Sequence, residues 1–301
     1  MRVAQQFRPD VTLFLASPEP LTRELATELW CRRRELFGLP THSSPTVVLV
    51  LDSPGGDIHA AYLLARLYRT HASKLTVVVP RFAKSAATLI CLAADEIVMT
   101  RIAELGPLDP LQCKPGETKF TPVLDEYLAL EALTKGTLRT LDTFMPLLIA
   151  RTGGMSAREL LSPVSQFVAT LFAPVYAQVN PLDQGTRMRL LEVSKQYCER
   201  VLRWCGRSPD VDVAQRLAMG YPSHDFVIDC EELQALRLPA RLATPEEEDC
   251  LEYWVAQSGR VSFVTRVLTV IEAAEQETAA TEEYSAGDCA QNLSEEGEQG
   301  V

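Results

Sequence analysis

Three aliphatic runs, separated by helix-like segments, constrain the fold of this chain more than any other feature. Residues 47–51 (VVLVL), 75–79 (LTVVV) and 96–100 (EIVMT) are rich in β-branched and aliphatic side chains, which is typical of strands buried on both faces. Two segments between these runs have helical character, residues 57–70 and residues 87–94 (ATLICLAA). Strands that alternate with helices in this way form parallel sheets with right-handed crossovers. The sequence therefore predicts an α/β fold.

Further elements are predicted on both sides of this core. Residues 11–16 (VTLFLA) have the pattern of a strand, and residues 21–37 place leucines at amphipathic-helix spacing. Beyond residue 110 the pattern is mainly helical. The predicted helices cover residues 123–150, 157–179, 186–204, 211–219, 231–236 and 246–274. Prolines are expected to kink or interrupt the first two of these helices, at Pro146, Pro163 and Pro174.

Charge separates the end of the chain from the rest. The net charge is −11, and residues 272–301 hold nine acidic side chains and no basic one. Such a polar, acidic segment is typical of disorder. The remainder is nearly neutral and offers no basic surface for nucleic acid. Because no linker-like composition interrupts it, we predict one folded domain over residues 1–275, followed by an acidic tail over 276–301.

The cysteines and the apolar segments limit the cell compartment and the cofactors. The eight cysteines are scattered, with no CxxC pair and no histidine at zinc-ligand spacing. We therefore expect neither a metal nor another cofactor. The first twenty residues lack the pattern of a secretory signal, and no run approaches the roughly 18 apolar residues of a membrane span. These patterns predict a cytoplasmic protein with free thiols and no membrane span.

Two glycines follow the first strand of the core, in Ser53-Pro54-Gly55-Gly56. Glycine has no Cβ, so the backbone N–H groups of such a turn can be approached closely. N–H groups presented in this way form oxyanion holes or phosphate-binding nests. The alternative interpretation is a tight strand-to-helix turn without a ligand. A two-glycine turn by itself does not decide between them.

Ser85 lies at the start of the next predicted helix, in FAKSAAT. A helix N-terminus favours negative charge on a hydroxyl oxygen, and the small neighbours Ala86 and Ala87 leave room for a substrate. The alternative interpretation is an N-cap serine, which is the commonest use of serine at this place. Together with the Gly-Gly turn, however, Ser85 indicates a hydroxyl nucleophile beside an oxyanion-binding site.

Three runs of this sequence resemble a known superfamily. LDSPGGDIHAAYLLARLY, VVVPRFAKSAATLICLAADEIVM and LGPLDP are similar to the ClpP/crotonase superfamily. More narrowly, they resemble the serine dehydrogenase proteinase family, which comprises ClpP-class peptidases related to signal peptide peptidase A. The resemblance covers residues 46–112. A later run, MGYPSHDFVIDCEELQALRLP, resembles the short C-terminal motif of that family.

The resemblance implies a ClpP/crotonase-like spiral of βαβ units with a helical C-terminal region. It also implies that Ser85 is the nucleophile and that the N–H groups of Gly55 and Ala86 form the oxyanion hole. Gly56 belongs to the same turn. Some relatives have glycine where this sequence has Ala86-Ala87, but the N–H of residue 86 remains available.

The sequence does not decide which residue is the general base, and it offers a lysine and a histidine as candidates. ClpP has a histidine roughly 25 residues after its serine, whereas this chain has no histidine between His71 and His224. Relatives of signal peptide peptidase A have a lysine roughly 50 residues on. Lys135 fits that spacing best and Lys119 second, provided that the amine is desolvated. The other candidate is His224 in the C-terminal motif, with Asp109 as its carboxylate.

The sequence therefore predicts a serine endopeptidase that acts on a peptide or protein substrate. By resemblance we also expect a homo-oligomer, because members of the superfamily usually form closed rings. The first alternative is an assembly or adaptor protein on the same fold that has lost the chemistry. A second alternative is acyl-CoA chemistry, since crotonases share the fold, although no basic CoA-binding surface is evident in the sequence.

Overall fold

The computed structural model describes residues 6–7, 9–38, 44–113, 120–153, 155–207 and 213–258. Its strands are β1 (Val11–Ala16), β2 (Thr46–Asp52), β3 (Lys74–Val79), β4 (Phe82–Ala83), β5 (Glu96–Met99), β6 (Glu104–Leu105), β7 (Leu111–Cys113), β8 (Phe120–Pro122) and β9 (Ala240–Leu242). Its helices are α1 (Arg23–Cys31), α2 (Arg33–Phe37), α3 (Ile58–His71), α4 (Ala86–Cys91), α5 (Val123–Thr152), α6 (Ala157–Tyr176), α7 (Pro181–Trp204), α8 (Val213–Met219), α9 (Cys230–Ala235) and α10 (Pro245–Ser258).

The chain divides into two compact units. Unit 1 comprises Met1–Pro107, Tyr197–Val213 and Asp225–Val301, and unit 2 comprises Leu108–Gln196 and Ala214–His224. The chain leaves unit 1 twice and returns to it twice, so no single linker in the sequence separates the two units. The single domain over residues 1–275 stays a prediction. The predicted tail over 276–301 lies outside the described residues.

A five-stranded parallel sheet forms the centre of unit 1, with the strand order β1-β2-β3-β5-β9. The α/β prediction is confirmed, and the four strands predicted from aliphatic runs lie within one residue of their predicted bounds. The fifth strand, β9, was not predicted. It is three residues long and reads ARL, which is too short for a recognisable strand period.

Both faces of this sheet are buried, as the continuous aliphatic runs predicted. On one face, Val50, Val78 and Val98 pack with Leu251 of α10. Residues that alternate with these, such as Leu49 and Val77, are also fully buried. Burial on both faces fixes the strand register, because either face would lose its apolar contacts if the strands slipped.

Two helices predicted from the sequence agree with the structure to different degrees. Asp57 caps α3 as predicted, and its carboxylate accepts a hydrogen bond from the His59 N–H at 2.8 Å. The predicted helix over residues 21–37 is instead two helices, α1 and α2, which meet at Arg32.

Unit 2 is mainly helical. α5 and α6 pack along each other through a cluster in which Leu160, Val164 and Val168 contact partly buried residues of α5. Both helices continue through their prolines, so these prolines do not interrupt them, and the predicted kinks stay a prediction. An interior proline removes a backbone hydrogen bond and crowds the preceding turn, and Val164, which follows Pro163, nevertheless packs in this cluster.

Within the described ranges, no single helix is long and apolar enough to cross a membrane. By length and composition only, two consecutive helices together reach those of a span: Ala157–Tyr176 and Pro181–Trp204, which are bent by 72° relative to each other.

Candidate functional site

The two motifs singled out in the sequence lie against each other in unit 1. The Ser53 N–H donates to the Phe82 carbonyl oxygen at 3.0 Å, and the Lys84 N–H donates to the Ser53 carbonyl oxygen at 3.0 Å. Ser53 and Ala83 thereby form a parallel bridge. The Gly-Gly turn and the segment that leads into Ser85 are therefore hydrogen-bonded neighbours, as the sequence analysis required.

Ser85 has a strained backbone. Its φ is 49° and its ψ is −122°, a combination that residues other than glycine rarely adopt. Strain of this kind costs about 1–3 kcal/mol and is retained mainly where function needs it. Among the described residues, the Ser85 side chain makes no capping hydrogen bond to α4. Ser85 thus occupies the N-cap position of α4 without capping the helix through its side chain, and the residue is partly exposed.

Gly55 is the residue that makes this close packing possible. A Cβ at this position would lie 2.6 Å from the Lys84 carbonyl oxygen, 3.0 Å from the Ser85 Cβ and 3.1 Å from the Ala86 nitrogen. Gly55 also has a φ of 99°, which L-residues with a Cβ rarely adopt. Only glycine fits at this position, because the backbone on either side of Ser85 occupies the space of any side chain.

The two glycines of the turn differ in their hydrogen bonds. The Gly55 N–H donates to the Ser53 hydroxyl oxygen at 3.2 Å, so the donor predicted for the oxyanion hole is already engaged. A Cβ at Gly56 would overlap the backbone of Leu21, and the Leu21 N–H donates to the Gly55 carbonyl oxygen at 2.6 Å. Gly56 therefore anchors the turn to Leu21.

Ala86 begins α4 directly after the strained serine. The first N–H groups of a helix have no acceptor within that helix, and they lie at the positive end of its dipole. The Ala86 nitrogen is also one of the atoms nearest to Gly55. The Ala86 N–H is thus placed by its neighbours at the junction of the two motifs.

Gly106, in the LGPLDP run, supports the same turn from another side. A Cβ at Gly106 would lie 2.9 Å from the Lys84 Cδ and 3.2 Å from the Ser85 nitrogen. Lys84 forms an ion pair with Glu104, at 3.0 Å. Gly106 was not predicted as a site residue, although a glycine in a proline-rich run after a core strand is a usable signal.

Thr88 fastens this loop to the helix that follows Ser85. Its side chain is fully buried, and its Oγ1 lies 2.8 Å from the Ala83 carbonyl oxygen and 2.7 Å from the Gly106 carbonyl oxygen. The same oxygen accepts a hydrogen bond from the Gly106 N–H at 3.2 Å. Thr88 thus holds the Gly106 loop against α4, the helix that begins beside Ser85.

A buried ion pair joins the ends of β2 and β3 beside this turn. Asp52 is 2% exposed, and its Oδ2 accepts hydrogen bonds from the Arg81 Nε and Nη2, each at 2.7 Å. Burial raises the pKa of Asp52, while the hydrogen bond from Arg81 acts in the opposite direction. The pair fixes the residue before Ser53 to the residue before Phe82.

Unit 2 brings together two of the predicted catalytic residues. The His224 Nδ1 lies 3.9 Å from the Asp109 Oδ2, and the Asp109 Oδ1 accepts a hydrogen bond from the Leu124 N–H at 3.0 Å. Asp109 is 1% exposed. Burial raises the pKa of Asp109 to about 7; the Leu124 N–H opposes this shift and the neighbouring Asp125 adds to it. A histidine beside a buried carboxylate is the pair that serine hydrolases use as base and orienting group.

Lys135 has the opposite environment. Its side chain is 65% exposed, and its Nζ lies 2.7 Å from Glu131 Oε1, one turn earlier in α5. A lysine that acts as general base must have a desolvated amine, and an exposed, ion-paired lysine does not meet that requirement. Lys119, the second choice, lies outside the described residues.

The site combines a strained serine at a helix start with a glycine turn packed against it. Residues 40–124 match the family model described as ClpP-like SDH-type serine proteinase. The resemblance to the serine dehydrogenase proteinase family is therefore confirmed for that stretch, which contains Gly55, Gly56, Ser85 and Asp109. It contains neither Lys135 nor His224.

Two curated relatives, both from Methanocaldococcus jannaschii, are uncharacterized proteins. MJ1495 is 34% identical over 121 residues, which are 37% of this chain and 41% of that protein. MJ0137 is 29% identical over 220 residues, which are 72% of this chain and 62% of that protein. The chain thus spans less than two thirds of the length of either relative.

Two solved structures match about half of this chain at low similarity. ClpP1 from Listeria monocytogenes is 15% identical, with a TM-score of 0.28, over 51% of this chain and 78% of that one. A mutant of the 1510-N membrane-bound stomatin-specific protease is 15% identical, with a TM-score of 0.28, over 53% of this chain and 70% of that one. The crotonase-like spiral stays a prediction.

Proposed function

We propose that this protein is a serine peptidase in which Ser85 attacks the carbonyl carbon of a peptide bond. One observation carries the proposal: Ser85 is held in a strained conformation directly against the Gly-Gly turn. The family match over this stretch agrees with it. Strain that a tightly packed backbone maintains is typical of a nucleophile at a strand-to-helix turn.

The oxyanion of the tetrahedral intermediate would be held by the N–H groups of Gly56 and Ala86. The proposal replaces Gly55 with Gly56 as donor, because the Gly55 N–H already donates to Ser53. Gly55 keeps a different role, which is to let the turn approach Ser85. Backbone donors are effective because they are fixed before the charge develops.

In this proposal His224 is the general base and Asp109 orients it. His224 takes the proton from the Ser85 hydroxyl and then gives it to the leaving amine. Water repeats the sequence on the acyl-enzyme, which releases the acid and restores the serine. The pairing of His224 with a buried carboxylate supports this choice, and the exposure of Lys135 speaks against the lysine.

The substrate would be a peptide or a protein, and the enzyme would be a cytoplasmic homo-oligomer. The match of residues 40–124 to a serine proteinase family supports the substrate class. The homo-oligomer is carried over from the superfamily resemblance, and the cytoplasmic location from the sequence patterns.

A fluorophosphonate probe, which forms a covalent bond with activated serines, tests the proposal. We expect Ser85→Ala to abolish labelling and to lower peptide hydrolysis by about 10⁵–10⁶-fold. The matched control is Ser165→Ala, which removes an exposed serine hydroxyl from α6 and should leave labelling unchanged. Labelling that persists in Ser85→Ala would exclude Ser85 as the nucleophile.

A second candidate function is an assembly or adaptor protein that has lost the chemistry. The 3.9 Å between His224 and Asp109 favours it, since this distance exceeds that of a hydrogen bond. A folded wild-type chain that shows neither labelling nor hydrolysis would support this alternative.

A further inference from the structure

A shallow recess lies between the helices α1 and α3 of unit 1. Its volume is about 440 Å³, and the apolar side chains that line it include Trp30, which is 54% exposed, and Leu63, which is 45% exposed. Arg33 stacks over the Trp30 ring at 4.3 Å and donates a hydrogen bond to the Trp30 carbonyl oxygen at 2.9 Å. The tryptophan is therefore held in place although about half of it is exposed.

A second recess adjoins the first along α3. It has a volume of about 420 Å³ and is lined by Tyr62, Arg69 and Trp204, and it shares Arg66 and Thr70 with the first recess. The rings of Tyr62 and Trp204 lie 5.1 Å apart, and Trp204 is 38% exposed. All of these residues belong to unit 1. The two recesses thus form one continuous surface, called the α3 surface below.

The α3 surface is rich in the residue types that contribute most to binding between proteins. Tryptophan, tyrosine and arginine are over-represented among the side chains whose truncation weakens complexes most. The α3 surface presents two tryptophans, one tyrosine and two arginines. Aromatic side chains that are exposed together, and not singly, mark a site of interaction. The composition of the α3 surface is therefore that of a docking site for a peptide segment.

The charge of the α3 surface favours an acidic occupant. The described residues that line it include two arginines and no acidic side chain. Arg69 is already paired with Asp95 at 2.6 Å. Arg66 is exposed and makes no ion pair or hydrogen bond with the part of the chain that the structure describes. A free guanidinium group between two aromatic recesses is suited to bind carboxylates.

The C-terminal part of this chain contains such an occupant. Residues 272–301 hold nine acidic side chains, no basic one and a single aromatic one, Tyr284. Two adjacent glutamates precede the tyrosine, and these three residues, 282–284, are called the EEY segment below. Helix α10 ends at Ser258, and the 24 residues from there to the EEY segment span up to about 80 Å. This reach exceeds the diameter of a domain of about 200 residues, which is about 45 Å.

We propose that the EEY segment binds the α3 surface of its own chain. Its two carboxylates pair with Arg66, and its tyrosine ring lies between Trp30 and Leu63. Because the segment is tethered, its effective concentration at the surface is on the order of millimolar. It therefore competes with acidic peptides of other proteins for this surface. The proposal stands whether or not Ser85 is a nucleophile, because it uses none of the catalytic residues.

Photo-crosslinking within the full-length chain tests the proposal. Tyr284 is replaced by p-benzoylphenylalanine, a mixture of isotopically labelled and unlabelled chains is irradiated, and the products are mapped by mass spectrometry. We expect crosslinks within one chain to the segments around Trp30 and Leu63. Arg66→Glu should lower the ratio of docked to undocked chain about tenfold, which is seen as a lower yield. The matched control Arg158→Glu makes the same charge change at an exposed position of α6 and should leave the yield unchanged.

Variants of the acidic residues decide the test if circular dichroism shows that Arg66→Glu does not fold. Glu282→Gln combined with Glu283→Gln should also lower the ratio about tenfold. The control, Glu295→Gln combined with Glu296→Gln, removes the other adjacent pair of acids within residues 272–301 and should leave the yield unchanged. Equal yields in these two double variants overturn the proposal. Crosslinks that map outside the α3 surface, or that only join labelled to unlabelled chains, also overturn it.

Discussion

The Ser85 turn of unit 1 and the helices α5 and α6 of unit 2 differ in how closely their atoms are packed. Around Ser85 a single added methyl group at Gly55 or Gly106 would meet neighbouring atoms within about 3 Å. In α5, a Cβ added at Gly136 would have no neighbouring atom within 4 Å, and in α6 side chains as large as Phe167 are half exposed. One region is complete within its unit, whereas the other leaves apolar surface uncovered.

This difference in packing indicates where a strained backbone conformation can be maintained. A conformation such as that of Ser85 persists only where the surroundings over-determine it. Here the parallel bridge at Ser53 and the hydrogen bonds of Thr88 supply that restraint. Helices α5 and α6 are joined instead by side-chain contacts, namely the Phe144–Phe167 ring pair at 5.3 Å and the Tyr176 hydroxyl near Thr134 and Thr137.

The largest expected effect contrasts the two candidate bases, both of which lie in unit 2. His224→Ala should lower peptide hydrolysis by about 10³–10⁴-fold, because no group remains to take the serine proton. The matched variant Lys135→Ala should change it less than twofold, since Lys135 is exposed and paired with Glu131. Steady-state kinetics with a fluorogenic peptide measures both.

The opposite ranking would return the mechanism to a serine–lysine pair. Equal, small losses in both variants would exclude both residues as the base, and would remove unit 2 from the chemistry altogether. Thermal denaturation of each variant separates a lost base from a lost fold.

The next largest expected effect concerns Asp109, a residue of unit 2 whose side chain is buried. Its pKa is raised to about 7, so the folded state holds a proton that the unfolded chain releases near pH 4. The contribution of Asp109 to stability is therefore fully present below pH 4 and is lost as the pH rises to about 7. A shift of about three pH units corresponds to about 4 kcal/mol.

Urea denaturation at pH 4 and pH 7.5 measures this contribution. Asp109→Asn, which cannot ionise, should remove that part of the pH dependence and be the more stable form at pH 7.5. The control Asp142→Asn changes an exposed carboxylate of α5 and should keep the wild-type pH dependence. Identical pH profiles for wild type and Asp109→Asn would show that Asp109 is not the buried acid described above.

The smallest of these effects compares one glycine from each region. Gly55→Ala combines a positive φ with close contacts to Lys84 and Ser85, and should cost about 3 kcal/mol of unfolding free energy. Gly136→Ala lies in open space within α5 and should gain up to about 1 kcal/mol. Chemical denaturation followed by circular dichroism gives both values.

The two glycine substitutions should also differ in their effect on labelling of Ser85. Gly55→Ala should lower fluorophosphonate labelling of Ser85, because the turn must move away from the nucleophile, while Gly136→Ala should leave it unchanged. A Gly55→Ala variant with wild-type stability and labelling would contradict the packing described here.

Several features could be predicted because they depend on neighbouring residues in the chain. The strands β2, β3 and β5 follow from runs of aliphatic side chains, and the cap of α3 follows from Asp57 before an apolar helical period. The nearness of the Gly-Gly turn and Ser85 also follows from sequence, because parallel strands bring their C-terminal ends to one edge.

Other features could not be predicted because they depend on residues far apart in the chain. The Gly55 N–H donates to Ser53, and Gly106 packs on the nitrogen of Ser85. Neither contact leaves a periodic pattern. The prediction of Lys135 rested on spacing alone, and spacing along a helix does not reveal that the side chain faces solvent.

The sequence by itself determined the parallel α/β core and the family resemblance of residues 40–124, since hydrophobic period and short motifs are written locally. Only the tertiary structure decided that the backbone of Ser85 is strained, that Asp109 is buried beside His224, and that several large apolar side chains of α5 and α6 are exposed. The physical reason is that strain, desolvation and exposure are set by the surrounding atoms, which the fold assembles from distant parts of the chain.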